Sequence, residues 1–254
     1  MPLQKAFVWA AGLGTRLRPY THETPKPLLD LYGRPLLEYV LRYLAHAGVT
    51  DVTANVWHLG EQFEPMPERA AAFGVNLSLS RQPQRFEHGG DLAFAQDFLA
   101  GLGADEPFLG LNGDTLFYIP PDHLRRAAER VSPDAPVLLF TQPSEANPLR
   151  IHEGRVVGVG GVRYEEVEPT GRADDFGVRV FHASVRDFLV EPPQTDAFHG
   201  REGLLGRITA AGKRVPTEPV RAAAREEVGT VEDYEGRAEN AALRALTERL
   251  AALP

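Results

Sequence analysis

Residues 5–28, KAFVWAAGLGTRLRPYTHETPKPL, decide the fold of this chain. The continuous apolar run Lys5–Ala10 predicts a buried first β-strand, and Gly12 and Gly14 follow where that strand ends. Three cations come shortly after the glycines: Arg16, Arg18 and Lys26. Backbone N–H groups of a glycine-rich turn can approach an anion closely, and nearby cations add charge. The segment therefore predicts a loop that holds several phosphates at once.

Two better-known phosphate loops do not fit this segment. The Walker A pattern Gly-x-x-x-x-Gly-Lys-Ser/Thr is absent from the sequence, and Leu17 stands where the dinucleotide fingerprint needs its third glycine. Pro19, Pro25 and Pro27 argue against a helix directly after the glycines, so we expect a long extended loop and a first helix near Pro35. On glycine spacing alone, an ordinary strand-to-helix loop with solvated cations remains an alternative.

Composition narrows the class of protein. The chain has 254 residues, of which 43% are hydrophobic and 24% charged, as expected for a globular protein with a large core. The net charge of −8 argues against non-specific binding to nucleic acid or to an anionic membrane. The absence of cysteine excludes disulfides and cysteine-ligated metals. The N-terminus lacks a signal-peptide pattern, so we expect a cytoplasmic protein. We also expect a monomer or a small homo-oligomer.

Strand-like and helix-like segments alternate through the first half. After the first strand we expect a helix at Leu36–Ala47, a helix at Asp91–Leu99 capped by Asp91, and a strand at Pro107–Leu111. This order predicts an α/β fold with a Rossmann-like, mostly parallel mixed sheet and helices on both faces. Ligands bind outside the carboxyl ends of such strands, where the glycine loop and the Asn112-Gly113-Asp114 turn both fall. We therefore expect the two motifs to share one site.

The pattern changes after Pro143. Short strands such as Gly177–Ala183 alternate with turns, which predicts a small substrate-binding lobe inserted into the sheet. Glu232–Ala252 is rich in Ala, Leu, Arg and Glu and predicts one long closing helix.

Five motifs, taken together and in order, resemble the signature of the sugar-1-phosphate nucleotidyltransferases. They are Gly12-x-Gly-Thr-Arg16, Pro25-Lys26-Pro27-Leu28, Gly33-Arg34-Pro35-Leu36, Asn112-Gly113-Asp114 and Val228-Gly229-Thr230-x-Glu232-Asp233-Tyr234. The resemblance covers nearly the whole chain and implies a nucleotide-diphospho-sugar transferase fold. It also implies Mg²⁺-dependent transfer of a nucleoside monophosphate from an NTP to a sugar 1-phosphate. Under this resemblance the chain is one domain, with a nucleotide-binding half (1–142), a sugar-binding half (143–230) and a C-terminal helix (231–254).

The resemblance also assigns roles to residues. Arg16 would clamp the β/γ-phosphate oxygens and steady the departing pyrophosphate, and Lys26 would contact the α-phosphate or the attacking sugar phosphate. Asp114 and Glu227 would hold Mg²⁺. The predicted nucleotide-binding residues are Ala10, Ala11, Gly12, Gly14, Thr15, Gln82, Gly89 and Gly90. The predicted sugar-binding residues are Asn112, Asn147 and Asp175.

The sequence departs from the family pattern in places. Glu227 stands where the family has Asp, and Arg225 stands where it often has Trp, which leaves the second metal contact open. Val167-Glu168-Pro169 lacks the lysine of larger members, whereas Glu145-Ala-Asn147-Pro148 resembles small members acting on N-acetylmuramate 1-phosphate or mannose 1-phosphate. A nucleotide-sugar-binding module without turnover is therefore kept as an alternative. An NAD-binding dehydrogenase is disfavoured by the missing third glycine.

Overall fold

The computed structural model describes residues 2–143, 149–220 and 224–253. The strands are β1 (Lys5–Trp9), β2 (Asp30–Leu31), β3 (Arg34–Pro35), β4 (Asp51–Val56), β5 (Asn76–Arg81), β6 (Pro107–Asn112), β7 (Thr115–Tyr118), β8 (Val137–Pro143), β9 (Leu149–His152), β10 (Arg155–Val159), β11 (Val162–Arg163), β12 (Gly171–His182), β13 (Thr217–Pro219) and β14 (Ala224–Glu227). The helices are α1 (Tyr20–Glu23), α2 (Leu36–Ala47), α3 (Met66–Ala71), α4 (Glu87–Phe94), α5 (Gln96–Ala100), α6 (Pro121–Ala128), α7 (Leu204–Ala210), α8 (Val231–Glu235) and α9 (Ala241–Ala251). Among the helices of these residues, none has the length and apolar character needed to cross a bilayer.

The chain forms two units that interleave along the sequence. The glycine-loop unit contains Gln4–Arg85, Leu111–Pro121 and the described part of 222–254. The antiparallel unit contains Phe86–Gly110 and the described part of 122–221, together with residues 2–3. Each unit therefore takes residues from both of the halves that the sequence suggests.

The glycine-loop unit is built on three parallel strands. β1 pairs with β4 from Lys5 opposite Asp51, and β4 pairs with β5 from Asp51 opposite Asn76. Ala6, Phe7 and Val8 of β1 are fully buried, as expected for a continuous apolar run inside a parallel sheet. The first long helix, α2, begins after Pro35 as predicted and ends at Gly48, whose positive φ of 91° suits glycine. This helix packs against α9 and β7.

The loop after β1 is more helical than the sequence predicts. Instead of one extended segment, it contains a 3₁₀ turn at Thr15–Leu17, the short helix α1 and a second 3₁₀ turn at Lys26–Leu28. Proline blocks continuation of a helix but is tolerated in its first turn, so isolated turns between prolines form without lost hydrogen bonds.

The antiparallel unit is organised around β12. This strand pairs antiparallel with β8 and with β9, and β13 joins β8 in parallel. Phe108 of β6 stacks on Phe181 of β12, with ring centroids 5.0 Å apart, in the core. With the parallel strands of the other unit, this gives the mixed α/β architecture that the sequence predicts. The predicted strand Gly177–Ala183 corresponds to the second half of the longer β12, which ends one residue earlier at His182.

Two predicted helices are wrong in their bounds. The segment predicted as Asp91–Leu99 forms α4 and α5, and Asp91 lies inside α4, where its carboxylate accepts the Phe86 N–H group at 3.1 Å. The predicted helix Glu232–Ala252 is divided into α8 and α9 by a turn. Asn240 starts a new helix there, because its side-chain oxygen accepts the Leu243 N–H group at 2.9 Å.

Candidate active site

The glycine loop follows β1 and contains two glycines, Gly12 and Gly14, with different local surroundings. Gly14 adopts φ 59° and ψ 33°, and its carbonyl accepts the hydroxyl of Thr21 at 2.9 Å. A Cβ at Gly14 would lie 2.8 Å from Thr21 Cγ2, so the packing of the protein itself requires glycine. A Cβ at Gly12 would meet no protein atom within 4 Å. Gly12 therefore borders open space rather than packed protein.

The Asn-Gly-Asp turn lies beside the end of β1, as the sequence predicts. The N–H group of Gly113 donates to the carbonyl of Trp9 at 2.9 Å. A Cβ at Gly113 would lie 2.9 Å from Val8 Cγ1, so glycine allows this close approach. The contact brings Asp114 next to the loop that follows Trp9.

Lys26 reaches two carboxylates from its position between Pro25 and Pro27. Its Nζ atom lies 2.8 Å from Asp114 Oδ2 and 3.8 Å from Glu227 Oε1. The Lys26 side chain is only 6% exposed, whereas the two carboxylates are about one third exposed. The arrangement directs a buried ammonium at carboxylates that a ligand can still reach.

Glu227 is surrounded by two further cations. Arg16 approaches its Oε1 atom at 3.3 Å and Arg225 approaches its Oε2 atom at 3.2 Å. Strand pairing explains the position of Glu227, because β14 pairs with β7 so that Glu227 is opposite Thr115, the residue after Asp114. Neither β7 nor β14 is predicted from the sequence. The guanidinium of Arg16 is 68% exposed and remains accessible to a ligand.

Beside these ion pairs lies a cleft of about 220 Å³ within the glycine-loop unit. Its walls are formed by three glycines, three cations, one carboxylate, Leu13 and Thr15; the residues are Gly12, Leu13, Gly14, Thr15, Arg16, Lys26, Arg85, Asp114 and Gly229. The structure thus brings together the predicted catalytic pair and part of the predicted nucleotide and metal sites. Arg85 is a cleft residue that the sequence interpretation missed.

The segment after Glu227 is fixed by a helix cap. The Asp233 carboxylate accepts the N–H groups of Gly229 and Thr230 at 3.0 and 2.8 Å, and the Asp233 N–H group donates to the Thr230 hydroxyl at 3.2 Å. This is a capping box. Hydrogen bonding with Thr230 is the main cause that lowers the pKa of Asp233. The cap holds Gly229 at the wall of the cleft.

Asn55 is a second residue that the sequence interpretation missed. It is fully buried, its Oδ1 atom accepts the Ala10 N–H group at 2.7 Å, and its Nδ2 group donates to Gln82 at 3.2 Å. Ala10, Ala11 and Gln82 are themselves buried, and their predicted contact with a nucleobase stays a prediction. The amide side chain of Asn55 between the apolar residues Ala54 and Val56, near the carboxyl end of a predicted strand, was the signal that could have identified it.

Three predicted ligand residues lie in the antiparallel unit. Gly89 and Gly90 are buried in α4 and donate their N–H groups to the Asp196 carbonyl at 2.9 and 3.2 Å. A Cβ at Gly89 would lie 2.2 Å from Asp196 Oδ2, so the glycine has a packing role there. Asp175 Oδ2 accepts from Arg179 at 2.7 Å.

Asp175 is tightly bound by its neighbours. Burial raises the pKa of its carboxyl, but the Arg179 charge and the contacts with His199 and the Gly177 N–H group outweigh burial and hold that pKa well below its usual range. A sugar contact for Asp175 stays a prediction, and so does one for Asn112, the last residue of β6. Asn147 lies outside the described residues.

The donor chemistry of the cleft fits a magnesium ion. Mg²⁺ binds carboxylate and phosphate oxygens and takes only one or two carboxylates from the protein. In the described part of the chain, no group of three or more His, Asp or Glu side chains is placed to hold a metal. Asp114 and Glu227 supply two carboxylates, and both lie within 4 Å of the Lys26 ammonium.

Comparison with known proteins identifies a family model and several relatives that match this chain. The family model described as nucleotidyl transferase matches residues 5–148. N-acetylmuramate alpha-1-phosphate uridylyltransferase of Neisseria meningitidis serogroup B is 43% identical over 113 residues, 44% of this chain and 47% of that protein. Mannose-1-phosphate guanyltransferase of Gibberella zeae is 27% identical over 186 residues, 72% of this chain and 50% of that protein. The chain spans about half the length of these relatives.

Solved structures share the fold. The inositol-1-phosphate CTP transferase from T. maritima matches with a TM-score of 0.76 and 19% identity, over 99% of this chain and 98% of that one. HddC from Yersinia pseudotuberculosis matches with a TM-score of 0.70 and 18% identity, over 93% of this chain and 99% of that one. The fold class predicted from the sequence, of the nucleotide-diphospho-sugar transferase type, is confirmed.

Proposed function

Since the matched region 5–148 is more than half of the chain, the protein belongs to the nucleotidyl transferase family, and we propose that it is a sugar-1-phosphate nucleotidyltransferase. It would transfer a nucleoside monophosphate from an NTP to a sugar 1-phosphate, with Mg²⁺, and release pyrophosphate. The named relatives act on N-acetylmuramate 1-phosphate and mannose 1-phosphate, so uridylyl and guanylyl transfer are the first reactions to test. A cytoplasmic location stays part of the proposal.

The observation that carries the proposal is the pairing of a glycine loop with cations in one cleft. Gly12 borders open space, and Arg16 and Lys26 line the same cleft. A triphosphate needs close backbone approach and concentrated positive charge, and this acidic chain concentrates that charge here. Backbone N–H groups of the loop would hold the phosphates, which is the positioning on which phosphoryl transfer mostly depends.

Each charged group has one task in this proposal. The exposed Arg16 would bind the β/γ-phosphates and stabilise the negative charge that grows on the leaving pyrophosphate, a task suited to a forked guanidinium. Lys26 would neutralise the α-phosphate or the attacking sugar phosphate, so that two anions can approach each other. Asp114 and Glu227 would hold Mg²⁺, which when bound supplies further charge neutralisation at the phosphates.

The contacts of Glu227 favour a second candidate function. Its two carboxylate oxygens already face Arg16, Lys26 and Arg225, so it could serve to order these cations instead of a metal. A protein arranged in that way would bind nucleotide sugars with little or no turnover.

Pyrophosphate release separates the two functions. Each of the NTPs is mixed with Mg²⁺ and a panel of sugar 1-phosphates that includes N-acetylmuramate 1-phosphate and mannose 1-phosphate. Release that depends on one NTP–sugar pair supports transfer and identifies the substrates. Tight NTP binding by calorimetry without release across the panel supports the binding module. Absence of both binding and release contradicts the proposal.

A further inference from the structure

The Lys26 ammonium is a counterion of both candidate metal ligands, Asp114 and Glu227. Its Nζ atom lies within 4 Å of both Asp114 and Glu227, and the side chain that carries it is almost fully buried. The flanking prolines Pro25 and Pro27 restrict the backbone that presents it. The ammonium is therefore held at the carboxylates by the protein and is not a chance surface contact.

The local charge balance opposes a second cation. The cationic side chains of Arg16, Lys26 and Arg225 already lie against the carboxylates of Asp114 and Glu227, and Arg85 lines the adjoining cleft. Coulomb repulsion over a few ångströms in a partly buried cleft is much stronger than in water. A divalent ion that entered alone would be repelled by these cations, whereas a triphosphate would be attracted by them.

We infer that Lys26 keeps divalent metal out of the Asp114–Glu227 pair until a polyphosphate draws its ammonium away. The inference rests on the proposed function for the identity of the anion. When phosphates enter beside the glycine loop, the ammonium pairs with them, the two carboxylates lose their internal counterion, and a metal ion can bind between protein and phosphate. Metal binding is thus conditional on nucleotide, so the cleft does not collect metal ions in the absence of substrate.

The first test measures the affinity of Mn²⁺, a spin probe for Mg²⁺, in the absence of nucleotide. Free Mn²⁺ is quantified by electron paramagnetic resonance for the wild type and for Lys26→Met, which removes the ammonium but keeps much of the side-chain volume. We expect Lys26→Met to bind one Mn²⁺ about tenfold or more tightly than the wild type. Equal affinity in the two proteins overturns the inference.

Lys213→Met is the matched control. Lys213 also pairs with one carboxylate, Asp134, at 2.7 Å, but this pair lies on the surface without a second carboxylate in the ion pair. Its loss changes the net charge of the protein by the same amount. An equal gain of Mn²⁺ affinity in this control would mean that net charge, and not the position of Lys26, controls metal binding, and the inference would be wrong.

The second test uses the wild type and so does not depend on how a variant folds. The chain has three lysines, Lys5, Lys26 and Lys213, so a protein labelled with ¹³C at lysine Cε gives few and separable NMR signals. Stoichiometric Mn²⁺ alone should leave the Lys26 signal sharp. Addition of a non-hydrolysable NTP should shift that signal, and Mn²⁺ should then broaden it. Broadening by Mn²⁺ alone overturns the inference.

The same titration distinguishes a failed inference from a failed function. If NTP with Mn²⁺ affects none of the lysine signals, the cleft does not bind a triphosphate, and both the proposed function and the inference are wrong. If NTP with Mn²⁺ affects Lys26 but Mn²⁺ alone does so equally, the proposed nucleotide site stands and only the conditional binding of metal is wrong.

Discussion

Carboxylate–cation pairs in the two units differ in how far the carboxylates are open to solvent. In the glycine-loop unit, the side chains of Asp114 and Glu227 are 36% and 33% exposed. In the antiparallel unit, those of Asp175 and Asp196 are 12% and 3% exposed. A ligand can therefore reach Asp114 and Glu227 from solvent, whereas Asp175 and Asp196 are covered by protein.

The two regions also differ in how the charges are matched. Asp196 is bonded through both oxygens to one arginine, Arg207, at 2.9 and 2.5 Å, a closed one-to-one pair. At the cleft and directly beside it, the carboxylates of Asp114 and Glu227 contact three cations at 2.8 to 3.8 Å. Removing one partner of a buried bidentate pair leaves an uncompensated charge and destabilises the fold, whereas several cations around solvent-exposed carboxylates can attract an anion. We therefore expect substitutions in the antiparallel unit to change stability and those in the cleft to change activity.

The largest effect on stability should come from Asp196→Ala. It leaves the Arg207 guanidinium without its buried partner, which costs on the order of 3 to 5 kcal/mol of unfolding free energy. Urea denaturation measures this change. The matched control Asp134→Ala breaks the exposed pair with Lys213 and should leave the denaturation midpoint unchanged. Equal midpoints for the two variants would mean that the buried Asp196–Arg207 pair contributes no more to stability than the exposed Asp134–Lys213 pair.

The next largest effect should be on turnover, from Asp114→Asn. The amide keeps the shape of the carboxylate but loses the charge that faces Lys26, so we expect kcat to fall about a hundredfold, or about 2.7 kcal/mol of transition-state stabilisation. The pyrophosphate-release assay measures this loss. The control is Asp122→Asn, because Asp122 is an exposed carboxylate beside Arg125 and its loss should not change turnover. A near-normal rate in Asp114→Asn would refute its assignment to the metal site.

The sequence predicted that the loop and the turn meet, because a general rule of parallel sheets applies to both. The glycine loop and the Asn112-Gly113-Asp114 turn follow buried strands, and ligand sites form at the carboxyl ends of such strands. The rule predicts one shared site for the two motifs; the 2.8 Å contact between Asp114 and Lys26 in that site is a finding of the structure.

The missed features depend on pairings between distant residues. Glu227 reaches Asp114 through the short pair β7–β14, which joins residues more than a hundred positions apart and has no strong periodicity of its own. The packing role of Gly89 against Asp196 is likewise set by tertiary contact. A sequence pattern suggested nucleotide contact for Gly89, because a glycine pair has the same appearance whether ligand or protein backbone approaches it.

A smaller effect should separate the two loop glycines. A Cβ at Gly12 meets no protein atom and its φ is not positive, so Gly12→Ala should leave stability within about 0.5 kcal/mol while kcat/KM for NTP falls about tenfold. Gly14→Ala places a Cβ 2.8 Å from Thr21 at φ 59°, so it should lose about 1 to 2 kcal/mol of stability as well. Thermal denaturation and initial rates with varied NTP measure both. An unchanged KM and kcat in Gly12→Ala would mean that no ligand occupies the space beside it.

The smallest effect should come from Asp233→Asn, which weakens the cap that follows Glu227. Loss of the capping carboxylate should cost about 1 kcal/mol at pH 7. Because the folded-state pKa of Asp233 is lowered, this stability is present above the unfolded pKa of about 3.9 and is lost as the pH falls through the folded value. The melting temperatures of the wild type and the variant should therefore converge as the pH falls below the unfolded pKa and the wild-type carboxyl becomes protonated. The control is Glu232→Gln in the same first turn, which should lack this convergence. If the melting temperature of Asp233→Asn stays below that of the wild type by the same amount at every pH, the charge of Asp233 contributes nothing to the cap.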